Sequence, residues 1–300
     1  MTATKRLGLI INGARADHAL LRGVVRDLRD AGHTVEPRLT FEEGDAVIAA
    51  RAAAERGVDA VVAVGGDGTV NEVANGLAGT TVPLGIVPLG TANDFARQAG
   101  IPDDPVHALD LVIVRPPVAI DSVTLNGRRF INVSTAGLGA EATAETPREA
   151  KKALGPLAYA ITGMRKFSQL EAHRARFAGP GFEHRGGFLL FAVGNARETG
   201  GGTALTPRAS VTDGLLDVCI VEEMSHADFA RLLLRLKRGE HLDQPGVIYA
   251  QLPSLTVDVQ HDITVNVDGE TTLQRELTYT VGAGDLQVHV AHLPGENPEG

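Results

Sequence analysis

The run Val61-Val-Ala-Val-Gly65-Gly66-Asp67-Gly68-Thr69-Val70-Asn71-Glu72 holds the residues best suited to chemistry. A β-branched apolar stretch stops at three glycines around one aspartate, and a helix-like segment, Glu72 to Leu77, follows. The pattern predicts a buried strand, a tight turn and a helix start. Glycine lets a ligand approach the main chain closely, and amide N–H groups exposed at a turn ahead of a helix form an anion site. Asp67 adds a carboxylate able to reach a phosphate-bound cation. The chemistry suggested is that of a nucleotide phosphate site, with a plain glycine turn as the alternative. Neither the dinucleotide pattern G-x-G-x-x-G nor the loop G-x-x-x-x-G-K-[ST] fits.

Three other stretches carry polar groups in suggestive positions. In Leu89-Gly-Thr-Ala-Asn-Asp-Phe95, Thr91, Asn93 and Asp94 open a helix, and alone they read equally well as a helix cap. In Val265-Asn-Val-Asp268-Gly269-Glu270 a strand runs into a turn; alone, this is a hairpin with a solvated glutamate. Thr212-Asp213-Gly214 reads as a turn before the apolar run that starts at Leu215.

The elements that must hold these loops alternate in the first third. Strands are expected at Leu7–Asn12, Thr34–Leu39, Ala60–Val64 and Pro83–Val87, and helices at Ala19–Ala31, Asp45–Arg56 and Asn93–Ala99. This rhythm predicts a doubly wound parallel α/β sheet with ligands at the carboxyl ends of its strands. Beyond Pro116-Pro117 strands dominate, at 118–125, 129–133, 187–193, 215–221, 254–259, 263–267 and 277–281. They predict an antiparallel β-domain with Asn126-Gly127 and Asp268-Gly269 as tight turns. Two helices, Arg148–Leu170 and His226–Arg238, interrupt it. The expected division is therefore an α/β nucleotide domain over 1–117 and a β-rich domain over 118–293. The last strand, Leu286–Ala291, is free to return to the first domain, and 294–300 form a disordered tail.

Composition bounds the rest. Hydrophobic content of 43% and charged content of 22% fit a globular chain. The single cysteine, Cys219, lies in an apolar strand pattern and is expected to be a buried thiol in a reducing compartment. The apolar stretch Leu7 to Ile11 is too short for a signal-peptide core. A net charge of −9 argues against nucleic acid as a partner. Segment 147–176 nevertheless holds seven basic residues against two acidic ones, and with its apolar residues it suggests contact with an anionic membrane surface, a core-packed helix being the alternative.

Taken together, the loops resemble the diacylglycerol kinase catalytic family, and within it the bacterial YegS-like lipid kinases. The resemblance is carried by Gly65 to Glu72, by Pro88-Leu-Gly-Thr-Ala-Asn-Asp-Phe-Ala96, and by Phe130-Ile-Asn-Val-Ser-Thr-Ala-Gly-Leu-Gly139. Glu145-Thr-Pro147, Leu154-Gly155 with Tyr159, Gly194-Asn195 with Gly200-Gly-Gly202, Thr212-Asp-Gly-Leu215 and Val267-Asp-Gly-Glu270 extend it nearly end to end. Gly-Gly-Asp-Gly alone is shared with NAD kinases and phosphofructokinases; the combination is specific. Where many relatives open with Asn-Pro, this chain has Asn12-Gly13, as the YegS-like members do.

The resemblance implies a two-domain, ATP-dependent lipid kinase. Gly66, Asp67, Gly68, Thr69, Val70, Asn71 and Glu72 would cradle the ATP phosphates, with Thr40 and Thr91 lining the nucleotide site. Glu270 would be the general base toward the lipid hydroxyl. Ser210 and Leu215, through carbonyls, and Asp213, through its carboxylate, would bind Mg²⁺ or Ca²⁺. The acceptor expected from the YegS likeness is phosphatidylglycerol, with diacylglycerol the alternative from the wider family. A soluble-substrate kinase such as an NAD kinase, and a nucleotide- or lipid-sensing protein, are the competing readings. The implied location is cytoplasmic, peripheral to the inner face of the membrane, with a homodimer left open.

Overall fold

The computed structural model describes residues 3–14, 18–138, 140 and 172–294. They divide into two compact units. The first comprises 1–122, 211–213 and 282–300, and the second 123–210 and 214–281. The expected helix Arg148–Leu170, the basic cluster at Arg148, Lys151 and Lys152, and the tail from 295 lie outside the described residues.

In the first unit, strands β1 (Arg6–Asn12), β2 (Thr34–Thr40), β3 (Ala60–Gly65) and β4 (Leu84–Pro88) form a parallel sheet in the order β4-β3-β1-β2. The register is regular, with Leu7 beside Val35 on one side and Ala60 on the other. β3 and β4 are buried at every residue, which is why they read as continuous apolar runs. The connecting helices are α1 (His18–Asp30), α2 (Asp45–Glu55), α3 (Asp67–Gly76), α4 (Asp94–Gln98) and α5 (Pro105–Val114). α2 and α3 meet at Gly76, where a Cβ would lie 2.5 Å from the Val47 carbonyl. α5 was not expected from the sequence. It is apolar along most of its length, so it lacks a clear helical period. Its signal is Asp104 followed by Pro105: the aspartate accepts from the N–H groups of Val106 and His107, and proline suits the first helical position.

In the second unit the path β11-β10-β9-β7-β12-β13 is antiparallel throughout. Its strands are β7 (Val133–Gly137), β9 (Phe182–Gly194), β10 (Leu216–Glu222), β11 (Val247–Leu252), β12 (Ser254–Val267) and β13 (Glu270–Val288). β5 (Val118–Leu125) and β6 (Arg128–Phe130) form a hairpin, and β8 (His173–Gly179) pairs with both β9 and β12. β9 and β10 bury both faces. Phe191, Val193, Val218 and Ile220 join one core with Phe177, Phe188 and Tyr279. Leu190, Ala192, Cys219 and Val221 join another beneath helix α6 (His226–Leu236), which contributes Phe229, Leu232 and Leu236. Cys219 is thus the buried thiol expected, and burial pushes its pKa up to about 12. α6 starts at Ser225, whose hydroxyl accepts from the Asp228 N–H and bonds the Asp228 carboxylate.

The expected fold class, a parallel α/β sheet followed by an antiparallel β-sandwich, describes both units. The differences are local. β8 and β11 were not anticipated, and the pairs of short strands expected at 254–267 and 277–291 are single long strands. The pairing of β12 with β13 shifts register between Asp258 and Ile263, where His261 and Asp262 gave the appearance of a break. β13 leaves the second unit at Gly282 and ends in the first, where Val288 lies parallel to Leu84 of β4.

Candidate active site

The glycine motif sits at the carboxyl end of β3, and it is mostly helix. α3 begins at Asp67, five residues ahead of the expected start, so Gly68, Thr69, Val70, Asn71 and Glu72 lie within its first two turns. Gly66 is the N-cap, extended at φ −95°, and supplies no side-chain cap. Packing explains two of the glycines. A Cβ at Gly65 would lie 2.5 Å from Thr69 Oγ1, and a Cβ at Gly90 would lie 2.7 Å from the Gly66 Cα. The two glycine-bearing loops therefore touch backbone to backbone. Gly68 is different: a Cβ there meets nothing within 4 Å.

Asp67 locks the second loop to the first. Its Oδ1 accepts the Asp94 N–H at 2.7 Å, and its carboxylate also takes the amide of Phe95. It caps α4 from outside that helix. Asn93, the formal N-cap, is in the left-handed region at φ 48° and makes no side-chain cap bond. Its Oδ1 accepts from the Gly90 N–H at 2.8 Å instead, closing the loop on itself. The Asp67 pKa is raised, first by burial and then by the neighbouring Asp94 carboxylate, against the pull of the amides. Asp94 is buried and paired with Arg97 at 3.0 Å.

The rims of β1, β2 and β3 are tied together at the same end of the sheet. Asn12 Nδ2 donates to Thr69 Oγ1 at 3.1 Å, and the Gly13 N–H to the Thr40 carbonyl at 3.0 Å. Thr40 is buried, with its hydroxyl donating to the Ile11 carbonyl, whereas Thr91 is exposed. Val70 and Asn71 are buried, and the Val70 N–H is bonded to the Gly66 carbonyl at 3.1 Å, so of the expected phosphate-binding run these two lie inside α3 and the open amides lie on its first turn. Glu72 turns away from the first turn of its own helix. Its Oε2 accepts the N–H groups of Gly44 at 3.2 Å and Ala46 at 3.1 Å, capping α2, whose N-cap Gly44 has no side chain to do so.

In the second unit, Val267 pairs directly with Glu270, and both Asp268 and Gly269 have positive φ, 47° and 93°. This is a two-residue hairpin of the kind that Asp-Gly favours. Glu270 therefore opens β13, partly buried, and its carboxylate forms an ion pair with Arg128. Arg128 follows a matching hairpin at Asn126-Gly127, φ 50° and 86°. No sequence signal links Arg128 to a residue so distant along the chain. The Asp268 carboxylate accepts the Ile131 N–H at 3.4 Å, and the Asn195 amide donates to the Ile131 carbonyl at 3.0 Å.

Ser210, Asp213 and Leu215 lie on the stretch that precedes β10, with Asp213 exposed and belonging to the first unit and the other two to the second. Among the described residues no group of three or more His, Cys, Asp or Glu side chains gathers for a metal. A site built from one carboxylate and two carbonyls is an all-oxygen donor set, which suits a hard cation. No described helix is long and apolar enough to cross a membrane.

Comparison with known proteins matches the chain in two stretches. Residues 6–125 match the diacylglycerol kinase catalytic domain, and residues 132–290 match the YegS C-terminal NAD kinase beta sandwich-like domain. A Cronobacter sakazakii protein named "Probable lipid kinase YegS-like" is 41% identical over 297 residues, covering 97% of this chain and 96% of its own. A Pseudomonas aeruginosa protein of the same name is 41% identical over 294 residues, covering 97% and 95%. Among solved structures, a candidate diacylglycerol kinase from Bacillus anthracis superposes with a TM-score of 0.83 at 26% identity, covering 99% of this chain and 97% of that one.

Proposed function

The chain belongs to the YegS-like lipid kinases of the diacylglycerol kinase catalytic family, ATP-dependent kinases, and from that membership we propose that it phosphorylates a lipid hydroxyl, with phosphatidylglycerol as the acceptor and Glu270 as the general base. The observation that carries the nucleotide half is the start of α3. Gly66 packs on Gly90, where a Cβ on Gly90 would lie 2.7 Å from the Gly66 Cα, while Gly68 faces open space on the first turn of a helix. Backbone amides there meet an anion without an intervening side chain.

The residues divide the work. Gly66, Gly68 and Thr69 offer first-turn backbone N–H groups to the phosphates, while Val70 and Asn71, one step further into α3, hold that turn in place. Asp67 and Glu72 fix the neighbouring helix starts and so hold Thr91 and Thr40 in place at the rim. A divalent cation, Mg²⁺ or Ca²⁺, held by the Asp213 carboxylate with the Ser210 and Leu215 carbonyls, would neutralise phosphate charge as it develops. Glu270 takes the proton of the attacking hydroxyl as oxygen bonds to the γ-phosphorus and ADP departs. Arg128 orients that carboxylate.

The test is transfer of labelled γ-phosphate from ATP to phosphatidylglycerol, diacylglycerol, ceramide and NAD, beside Glu270→Gln. Label in phosphatidylglycerol, reduced at least about 100-fold in the variant with ATP binding intact, is the expected result. Label in diacylglycerol alone would replace the acceptor, and label in NAD alone would overturn the reading.

A further inference from the structure

One phenylalanine of the first unit is out of keeping with the rest. Among the described residues six phenylalanines are buried and Phe182 is half-buried, while Phe41 is 81% exposed. A ring left in water forgoes the burial that makes phenylalanine a core residue. Its main chain is nevertheless fixed. The Asp45 carboxylate accepts the Phe41 N–H at 2.8 Å and the Glu42 N–H at 3.0 Å, and the Thr40 carbonyl is tied to the Gly13 N–H. The ring stands beside Gly13, where a Cβ would lie 3.4 Å from a Phe41 ring carbon and 2.8 Å from the Thr40 carbonyl. Glycine at 13 therefore keeps the rim of the sheet low next to the ring.

The position of this ring in the sheet gives it a use. In the order β4-β3-β1-β2 the direction of winding reverses between β1 and β3. Open α/β sheets bind ligands outside the carboxyl ends of their strands at such a point. The start of α3 follows β3, on one side of it; Gly13 and Phe41 follow β1 and β2, on the other. Neighbouring strands lie about 4.8 Å apart, so Phe41 is about 10 Å along the rim from the end of β3, a gap that an extended nucleotide bridges. The bond from Asn12 to Thr69 crosses the near half of it. Charge decides which end of the nucleotide lies where. The start of α3 offers amides to phosphates. Glu42 and Glu43, which follow Phe41, repel a phosphate or an anionic headgroup but not an uncharged base.

We propose that Phe41 is the base-stacking residue of the nucleotide site. The purine of ATP lies against its ring beside Gly13, and the triphosphate runs past Asn12 to the first turn of α3. The inference rests on the ATP-dependent reading above and adds to it the residue that holds the base.

The probes are ATP and inorganic tripolyphosphate, which has the phosphates without the base, titrated calorimetrically with Mg²⁺. Losing a stacked aromatic weakens binding by about 5- to 150-fold. Phe41→Ala should lower ATP affinity within that range and leave tripolyphosphate affinity unchanged. The chain has no tryptophan, so Phe41→Trp places a single reporter at the site. That variant should keep wild-type ATP affinity, and its fluorescence should be quenched by ATP but not by tripolyphosphate. Unchanged ATP affinity in Phe41→Ala would overturn the proposal, as would an equal loss for both probes. So would a tryptophan that shifts with phosphatidylglycerol vesicles and ignores ATP, or a wild-type dimer that Phe41→Ala splits at unaltered ATP affinity. If the base-dependent loss is seen yet no lipid is phosphorylated, the stacking role stands and the lipid acceptor fails. If lipid is phosphorylated and Phe41→Ala binds ATP as wild type does, the kinase reading stands and the stacking role fails.

Discussion

Glu72 offers a sharp test of how the site is held together, because its carboxylate serves a helix other than its own. Glu72→Ala removes the acceptor of the Gly44 and Ala46 N–H groups, bonded at 3.2 and 3.1 Å, and removes a negative charge from the start of α2. Losing a helix cap costs about 1 kcal/mol and at most about 2, and the carboxylate's favourable place at a helix N-terminus adds to it. We expect about 2 kcal/mol in all. α3 itself loses nothing, since alanine is the best helix former. In a cooperative unit of this size that corresponds to about 4 °C in melting temperature. Glu72→Gln keeps an oxygen without the charge and should cost about half as much. Circular dichroism under urea gives the free energies, and hydrogen exchange read by mass spectrometry locates them. Faster exchange should concentrate in the peptide that holds residues 40–46, with the ATP KM rising as Thr40 loses its footing. Equal stability of the alanine variant and wild type, or exchange unchanged over 40–46, would show that the bonds contribute nothing.

Three further substitutions probe other parts of the first unit. Gly68→Ala should raise stability by about 0.5–1 kcal/mol, because the helix gains an alanine and its Cβ meets nothing, while ATP affinity falls as the methyl occupies the approach to the amides. Gly90→Ala should instead destabilise, its Cβ meeting the Gly66 Cα at 2.7 Å; paired thermal melts and nucleotide titrations separate the two cases. His289 is buried, with Nδ1 bonded to the Arg115 carbonyl at 2.8 Å, and burial, aided by Lys5, lowers its pKa from 6.5 to about 4. The folded state therefore prefers the neutral ring. Between those values the unfolded chain binds the extra proton, so stability is complete above about pH 6.5 and falls by about 3 kcal/mol as pH drops toward 4. His289→Gln should flatten that part of a urea-denaturation pH series, and an unchanged slope would remove His289 as its cause.

What was legible in the sequence is what local chemistry dictates. Strands β3 and β4 are apolar throughout because both faces are covered, and the Asn126-Gly127 and Asp268-Gly269 hairpins follow from residues that accept positive φ. The start of α3 was misjudged because glycine is a poor helix former in an interior; here Gly66 is the cap and Gly68 sits in the first turn, where Asp67 suits the helix dipole. β8 and β11 escaped notice for another reason. His173-Arg-Ala-Arg-Phe-Ala and Val247-Ile-Tyr-Ala-Gln mix charge or polarity into strands whose pairing with β9, β12 and β10 settles their conformation.

The candidate site divides along the same line. Its glycines could be singled out by type and spacing, and Gly65 answers to a neighbour only four residues on, Thr69. Its fixing contacts could not. Asp67 caps a helix 27 residues on, Glu72 one 26 to 28 residues back, and Arg128 pairs with Glu270 across 142 residues. An acidic residue read in isolation is a candidate for phosphate, metal or proton chemistry. In the fold, two of these acids close helix ends that glycine and left-handed asparagine leave bare. Their charge acts on the nucleotide site through the backbone they hold in place, so loss of either should appear first as altered stability and nucleotide affinity, and only through those as altered turnover.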